Sequence, residues 1–231
     1  KNAGYQTAFI GKWHLDNPDN VDTWAVGHGF DLAVQEQWTS RFGGREFPPN
    51  RLWINGDENF IPYDYKNFDC KDHLRTDIAF DFLDKKENDK PFFLFMSYRA
   101  PHSFEGPIRD KELYAGQGWP EIERVHAAKI TLLDKQIGRL INKLKAMGEL
   151  DKTLILFTSD NGPWLNFGNH AGNTAGLREG KGTVFEGGQR VPTIISWPRI
   201  VKKSTISNSL AASIDILPTV AEIVNGKLPK H

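Results

Sequence analysis

The feature that most constrains this chain is an apolar run that stops abruptly in small polar residues, at positions 153–162 with the sequence TLILFTSDNG. A continuous apolar run of this length predicts a strand that is buried on both faces, as in a parallel sheet. The residues after the run carry short oxygen-bearing side chains and end in a turn glycine. Ligands of open α/β sheets bind at the carboxyl ends of the strands, so this segment marks a candidate site.

The chemistry of the segment lies in Asp160 and Asn161. A carboxylate and an amide oxygen are hard ligands that suit a divalent cation such as Ca2+. An ordinary strand-to-loop turn is the alternative interpretation, because Asp, Asn and Gly favour turns for reasons of backbone geometry alone. For the segment taken by itself the turn is favoured, and only the rest of the chain changes that ranking.

Composition excludes several classes of function. The 29 basic and 29 acidic residues balance, so no overall charge attracts the chain to nucleic acid or to an anionic membrane. Cys70 is the single cysteine, which excludes an intramolecular disulfide and a cysteine-rich metal site. No apolar run approaches the length of about 18 residues that a transmembrane helix requires. An anionic substrate must therefore be held by local charges.

Strand and helix patterns alternate along the chain. Residues 7–10 and 91–98 are short apolar runs that predict strands, the second of them buried on both faces. Residues 72–86 and 121–147 repeat apolar side chains at helical spacing and predict amphipathic helices. Residues 193–197 predict a further strand. This order predicts an α/β fold with a mainly parallel sheet flanked by helices.

Three further expectations concern particular segments. The helix at 121–147 has one predicted apolar stripe, and the charges on its other face are interpreted as a solvated surface. The stripe consists of Ile122, Val125, Leu133, Ile137, Leu140, Ile141 and Leu144. Residues 213–224 predict a last helix with Pro218 in its first turn. The irregular residues 16–70 are expected to cover the carboxyl edge of the sheet and to shape substrate selection.

Other titratable side chains also follow predicted strands. Lys12 and His14 stand two apart after the first strand, so an extended segment would point them to the same side. His102 follows the strand at 91–98, and Lys181 lies between two glycines that let backbone approach a ligand closely. Each taken alone is more simply an ordinary surface lysine or a hydrogen-bonded histidine. Nearly all of these candidates lie just after a predicted strand, which favours a common site.

Together these side chains suit one chemical task. A cation and two lysines would neutralise the oxygens of a tetrahedral oxyanion, while a histidine protonates the leaving oxygen. That is the hydrolysis of a sulfate or phosphate ester. The reaction also requires a nucleophile, and the chain contains no convincing candidate.

Several motifs resemble blocks of the sulfatase family, in the family's order. The segment AGYQTAFIGKWHL at 3–15 resembles its second signature, and GKGTVFEGGQRVP at 180–192 resembles a later block. The strand with its PH dipeptide at 92–102, the SDNG and residues 214–229 resemble further blocks. The resemblance covers the whole chain, and it is closest to the arylsulfatase type, which acts on aryl or sugar sulfates.

The resemblance implies a fold and a cofactor. The fold is an alkaline-phosphatase-like three-layer α/β/α sandwich with a mainly parallel central sheet, incomplete at both ends in this chain. The cofactors are one Ca2+ ion and a formylglycine, made from Cys or Ser in a C/S-x-P-x-R segment. The hydrated aldehyde attacks sulfur, the alcohol leaves, and the remaining hydroxyl expels sulfate. The expected function is that of a sulfuric ester hydrolase.

Residue roles follow from the same resemblance. Asp160 and Asn161 match the metal ligands, and Lys12 and Lys181 match the lysines that hold sulfate oxygens. Glu186, with Arg190, is instead interpreted as structural support for its loop.

The two histidines take separate roles by the same matching. His14 is expected to assist breakdown of the covalent intermediate by acting on the hydroxyl of the nucleophile. His102 is expected to face the leaving group as general acid, and to contribute to substrate binding.

Departures from the family pattern are equally informative. No C/S-x-P-x-R segment of the expected position is present, and Cys70 lies in FDCKDHLR, which lacks the proline and arginine. We therefore expect residues 1–231 to be an internal fragment, the central part of a catalytic domain, with the formylglycine segment upstream of Lys1 and a C-terminal subdomain missing. The chain alone is expected to be inactive and to bind Ca2+ poorly.

Two alternatives remain open at this level. One is a phosphodiesterase or phosphonate hydrolase of the same superfamily, although the two lysines favour a compact monoanionic sulfate. The other is a non-catalytic relative that binds sulfated glycans. The expected partners are a sulfated small molecule or glycan and, for the full-length protein, a formylglycine-generating enzyme or an anaerobic maturase. The family implies export to the periplasm or outside of the cell, or a lysosomal location.

Four tryptophans could stack on sugar rings, or could equally well pack in the core or in loops. They are Trp38, Trp53, Trp119 and Trp164.

Overall fold

The computed structural model describes residues 1–17, 19–36, 52–56, 68–102, 108 and 111–228. They form two compact units. Unit 1 takes its described residues from 1–64, 77–99 and 206–231, and unit 2 takes its described residues from 65–76 and 100–205.

Six strands and four α-helices make up the regular structure of the described part of the chain. The strands are β1 (Gln6–Lys12), β2 (Leu32–Glu36), β3 (Trp53–Ile54), β4 (Phe92–Ser97), β5 (Ile155–Phe157) and β6 (Ile194–Ser196). The helices are α1 (Lys71–Lys85), α2 (Glu121–Ala146), α3 (Glu186–Gln189) and α4 (Ile216–Ile223). Every strand and helix predicted from the sequence is present, and none of the four helices is long and apolar enough to cross a membrane.

Unit 1 contains a four-stranded sheet in the order β3-β2-β1-β4. β1 pairs in parallel with both β2 and β4, while β3 pairs antiparallel with β2 at one edge. The central position of β1 explains its apolar sequence, since Ala8 and Ile10 have no exposed surface and Phe9 is 2% exposed. The prediction of a mainly parallel sheet is therefore confirmed for unit 1.

β4 is not buried on both faces, so the prediction of a doubly buried strand is wrong here. Phe93 and Phe95 are 37% and 48% exposed, while the residues that alternate with them are half-buried. The alternation follows from the pleat, which points successive side chains to opposite faces of the sheet. An unbroken apolar run therefore does not reveal which face is covered.

The helix predicted at 72–86 is confirmed as α1, which begins and ends one residue earlier. Its buried face includes Leu74, Ala79 and Leu83, in accord with the amphipathic pattern. The last predicted helix is also confirmed: a 3₁₀ turn at Ser213–Asp215 leads into α4, and Pro218 lies in its first turn.

α2 is the principal helix of unit 2, and its buried face differs from the predicted stripe. The buried residues are Ala128, Lys129, Leu132, Gln136 and Leu144. Of the predicted stripe only Leu144 is among them, and Ile122 is 53% exposed. The interpretation of every charged side chain as solvated is wrong for Lys129, which is 6% exposed. The buried row of α2 includes the polar residues Lys129 and Gln136, and Lys129 contacts the segment of His102. Hydropathy alone does not identify such a row.

β5 and β6 form a two-stranded antiparallel sheet in unit 2. The prediction that β5 is a strand is confirmed, but the prediction that it is buried on both faces in a parallel sheet is wrong for this unit. Leu156 and Phe157 are 39% and 38% exposed. Within the described residues β5 pairs with β6 alone.

Residues 16–70 are only partly described. Two 3₁₀ turns and β2 lie within them, and β3 is followed by a turn in which Asn55 and Gly56 have positive φ. About half of residues 16–70 lie outside the described part, and the expectation that this segment covers the carboxyl edge of the sheet stays a prediction.

Candidate active site

The loop after β5 presents the predicted metal ligands at its surface. Asp160 is exposed and Asn161 is half-buried. The Asn161 Nδ2 donates a hydrogen bond to the carbonyl oxygen of Gly162 at 2.9 Å, and the Ser159 Oγ donates to the Asn161 carbonyl at 3.3 Å. The Asn161 Oδ1 is the acceptor atom of that side chain. A carboxylate beside such an oxygen fits the ligand chemistry of Ca2+.

These two side chains supply only part of a calcium shell, for which about six to eight oxygens are typical. No group of three or more His, Cys, Asp or Glu side chains that could hold a metal occurs among the described residues. Asp160 and Asn161 therefore fit as contributors to such a site, and further ligands would have to come from elsewhere in the protein.

Backbone hydrogen bonds join the metal-motif loop to the segment that carries Lys181. The Lys181 N–H donates to the carbonyl oxygen of Pro163 at 2.8 Å, and the Gly162 N–H donates to that of Gly188 at 3.0 Å. The lysine motif thus lies against the residues that directly follow Asp160 and Asn161. Within unit 2 the two backbone segments are therefore adjacent.

Glycine is required where these segments meet. A Cβ on Gly162 would overlap the carbonyl oxygen of Gly187, and a Cβ on Gly187 would overlap that of Glu179. The backbones pack against each other with no room for a side chain. The sequence interpretation placed the glycines beside Lys181 against a ligand, but Gly180 packs against Pro163 and Leu165, and only Gly182 has open space around it.

The EGGQ segment that supports this junction is helix α3. Gly187 and Gly188 are buried in it, whereas Glu186 and Arg190 are exposed and form an ion pair at 3.4 Å. The charged pair spans one helical turn at the surface, an arrangement consistent with the structural role expected for it.

His102 lies in a turn held by two buried charged groups. The side chain of His102 is half-buried. The Lys129 Nζ donates to the His102 carbonyl oxygen at 3.1 Å, and the Asp72 Oδ2 accepts from the Ala100 N–H at 3.1 Å. Sequence reasoning missed both groups. The position of Lys129 three residues before the buried Leu132, on one row of α2, is the signal that could have found it.

Lys12 and His14 lie in unit 1, at and just beyond the end of β1. Lys12 is the last residue of β1, and its carbonyl oxygen accepts a hydrogen bond from the Ser97 Oγ at 2.6 Å. His14 has a φ of 59°, so it lies outside the extended strand. The argument that an extended segment points both side chains to one side is therefore wrong. Between them, the Trp13 Nε1 donates to the Thr23 carbonyl oxygen at 2.9 Å, which fixes the turn.

One half-buried histidine of unit 2 has a perturbed pKa. Burial, reinforced by the positive charge of Lys129 and by His170, holds the pKa of His126 below its usual value. The cause is elementary, because a charged imidazole loses solvation and meets another cation. His170 belongs to the loop after the metal motif. Its ring centroid lies 5.5 Å from that of Phe167, and the Phe167 ring centroid lies 5.0 Å from that of Trp164.

Comparison with known proteins identifies the family. The Sulfatase family profile matches residues 1–226 of the chain. The match spans both units and all six predicted site residues. The chain belongs to the sulfatase family.

Curated relatives are similar over nearly the whole chain. Arylsulfatase A of Bos taurus is 35% identical over 249 residues, covering 98% of the chain and 46% of the relative. The arylsulfatase of Hemicentrotus pulcherrimus is 29% identical over 245 residues, covering 99% and 42%. The chain thus spans about half the length of the curated relatives that it matches.

A solved structure shares the fold. The crystal structure of Ps i-CgsB in complex with k-i-k-neocarrahexaose superimposes with a TM-score of 0.82 at 25% identity, covering 99% of this chain and 52% of the other. The α/β fold expected from the sulfatase resemblance, of the alkaline-phosphatase-like type, is confirmed by this similarity.

Proposed function

We propose that the protein containing this chain hydrolyses sulfate monoesters, of aryl or carbohydrate alcohols. The observation that carries the proposal is the backbone junction that places Lys181 against the loop of Asp160 and Asn161. A hard-cation ligand pair and a lysine beside it suit a group with several anionic oxygens. Membership of the sulfatase family and the similarity to arylsulfatases support the same reaction.

Each side chain has a distinct part in the proposed reaction. Lys181 and Lys12 hold oxygens of the sulfate as compact point charges. His102 donates a proton to the oxygen of the leaving alcohol, and His14 acts on the hydroxyl of the nucleophile when the covalent intermediate breaks down. Asp160 and Asn161 would hold Ca2+, which supplies positive charge to the sulfate oxygens.

We further propose that the chain is the central part of the catalytic domain. The curated relatives are about twice as long, which supports the presence of further segments in the whole protein. One of these would supply the formylglycine nucleophile after maturation by a formylglycine-generating enzyme or an anaerobic maturase. By analogy with the family, the whole protein would be exported or lysosomal.

A sulfated glycan is the substrate class that we favour over a simple aryl sulfate. Trp164 is 45% exposed and follows directly after Pro163, whose carbonyl oxygen binds the Lys181 backbone. An exposed aromatic ring next to an anion site can stack on a sugar face. Trp119 is 43% exposed and stacks on Tyr114 at 5.8 Å, so it has a packing role as well. The complex of Ps i-CgsB with an oligosaccharide supports the glycan class.

The test measures kcat/KM of the full-length protein on matched 4-nitrophenyl sulfate and 4-nitrophenyl phosphate. We expect sulfate to be preferred, and Lys181→Ala to reduce kcat/KM by about 10²–10³-fold because one charge on the developing oxyanion is lost. Lys203→Ala, which removes an exposed lysine of the same unit, is the control and should change little.

Other outcomes would favour the alternatives. Faster hydrolysis of the phosphate ester would favour a phosphodiesterase or phosphonate hydrolase. Binding of sulfated glycans without any turnover would favour a non-catalytic relative.

A further inference from the structure

Two buried charged side chains from different helices hold the turn that carries His102. Asp72, near the start of α1, has no exposed surface, and its Oδ2 accepts a hydrogen bond from the Ala100 N–H at 3.1 Å. Lys129, on α2, is 6% exposed, and its Nζ donates to the His102 carbonyl oxygen at 3.1 Å. The two contacts bind opposite ends of a three-residue segment.

The carboxylate of this arrangement is well supported by its surroundings. Asp72 also forms a buried ion pair with Arg75, one turn further along α1. It lies in the first turn of the helix, where the helix dipole stabilises negative charge. The hydroxyl of Thr76 donates to the Asp72 carbonyl oxygen at 2.8 Å, which ties the same turn of the helix together. The acceptor for the Ala100 N–H is therefore held in one place.

Stability alone does not explain the lysine. Lys129 is 6% exposed, and its neighbours on the buried side of α2, Ala128 and Leu132, are 0% and 2% exposed. Burying an ammonium costs solvation free energy, so a lysine at a buried position calls for an explanation beyond hydrophobic packing. A lysine at this position is more simply explained by what it does to the backbone that it contacts.

We propose that Lys129 and Asp72 are positioning residues that fix His102 for proton donation to the leaving oxygen; this rests on the proposed sulfatase function. The imidazole is attached to backbone whose N–H and carbonyl groups are bound at two points. Such restraint keeps a general acid within hydrogen-bond reach of the oxygen to which it gives its proton. Neither side chain has to touch the substrate.

The test compares leaving groups in the full-length protein. Lys129→Met keeps the length and apolar character of the side chain and removes the ammonium. Protonation matters most for a poor leaving group, so we expect kcat/KM to fall about 10²-fold for an alkyl or sugar sulfate. For 4-nitrophenyl sulfate, whose alcohol leaves without protonation, the change should be less than about threefold. Lys145→Met, at an exposed position on the same helix, should alter neither rate.

A double variant separates positioning from a general loss of structure. If Lys129 acts through His102, Lys129→Met combined with His102→Ala should be no slower on the alkyl sulfate than His102→Ala alone. Lys129→Arg, which retains a donor, should recover part of the rate. These results, in protein with unchanged circular dichroism, would support the proposal.

Two outcomes would overturn it. Equal losses on both leaving groups, or losses that add in the double variant, would show a merely structural lysine in an active sulfatase. Absence of sulfatase activity in the unsubstituted protein would instead refute the proposed function, and the positioning role with it.

Discussion

The end of β1 and the loop after β5 both present predicted site residues, but they are held in different ways. β1 is an inner strand of a four-stranded sheet, and its apolar side chains, among them Ile10, are buried. The loop after β5 follows a strand with exposed side chains, and backbone contacts at Gly162 and Gly187 hold it. The first region is held by the packing of apolar side chains. The second is held by close backbone contact, which is possible only because glycine has no side chain.

This difference predicts opposite sensitivities to substitution. A smaller side chain in β1 leaves a cavity, because its neighbours are packed on both sides. An added methyl group at the glycine junction forces two backbones apart, because no flexible side chain can yield. Both changes would displace site residues without touching the reacting groups.

The largest loss of stability is expected for Ile10→Ala. Ile10 has no exposed surface at the centre of the sheet, so the free energy of unfolding should fall by about 2–5 kcal/mol. Denaturant unfolding of the full-length protein measures this, with Ile10→Val as a matched control that should cost about 0.5–1.5 kcal/mol. A loss of stability for Ile10→Ala no larger than that of Ile10→Val would show that β1 is not held by tightly packed side chains.

A smaller loss of stability is expected for Gly162→Ala. Its methyl group would overlap the Gly187 carbonyl oxygen, which should lower the free energy of unfolding by about 1–3 kcal/mol and also reduce kcat. The control is Gly138→Ala in α2, where a Cβ meets nothing within 4 Å. A helical glycine in open space should gain about 0.5–1 kcal/mol on this change. If both substitutions stabilise the protein, the junction is not close-packed.

The smallest effect concerns pH and the helix beside the second region. The pKa of His126 is lowered in the folded state, so the unfolded chain binds a proton at a higher pH than the folded chain does. The contribution of His126 to stability is therefore present above its ordinary pKa of 6.5 and declines as the pH falls through that value. His126→Gln should flatten this part of the profile of Tm against pH between about 7.5 and 5.5. Parallel profiles for the two proteins would contradict the expectation.

Prediction from sequence succeeded where one pattern implies one structure. The periods of α1 and α2 and the apolar run of β1 each indicate a regular element, and these elements were found within a residue or two. The grouping of Asp160, Asn161 and Lys181 in one site stays a prediction, although backbone contacts join the loops that carry them.

The wrong predictions share a physical cause: local sequence does not show which distant residues pack against a given segment. Apolar runs indicated strands at β4 and β5 without showing which faces remain exposed. The buried row of α2 includes Lys129 and Gln136, which hydropathy assigns to water. His14 was expected in an extended segment, but its backbone has a positive φ, and the preceding Trp13 donates a hydrogen bond to the Thr23 carbonyl oxygen.

The sequence by itself determined the α/β class, the order of the elements and the chemistry of the candidate site residues, because period, turn chemistry and side-chain type are local properties. Tertiary structure alone decided that Gly162 and Gly187 hold two loops together and that two buried charges bind the His102 turn. Those contacts join residues that are between 25 and 28 positions apart in the chain. Only folding brings such residues within hydrogen-bond or van der Waals distance.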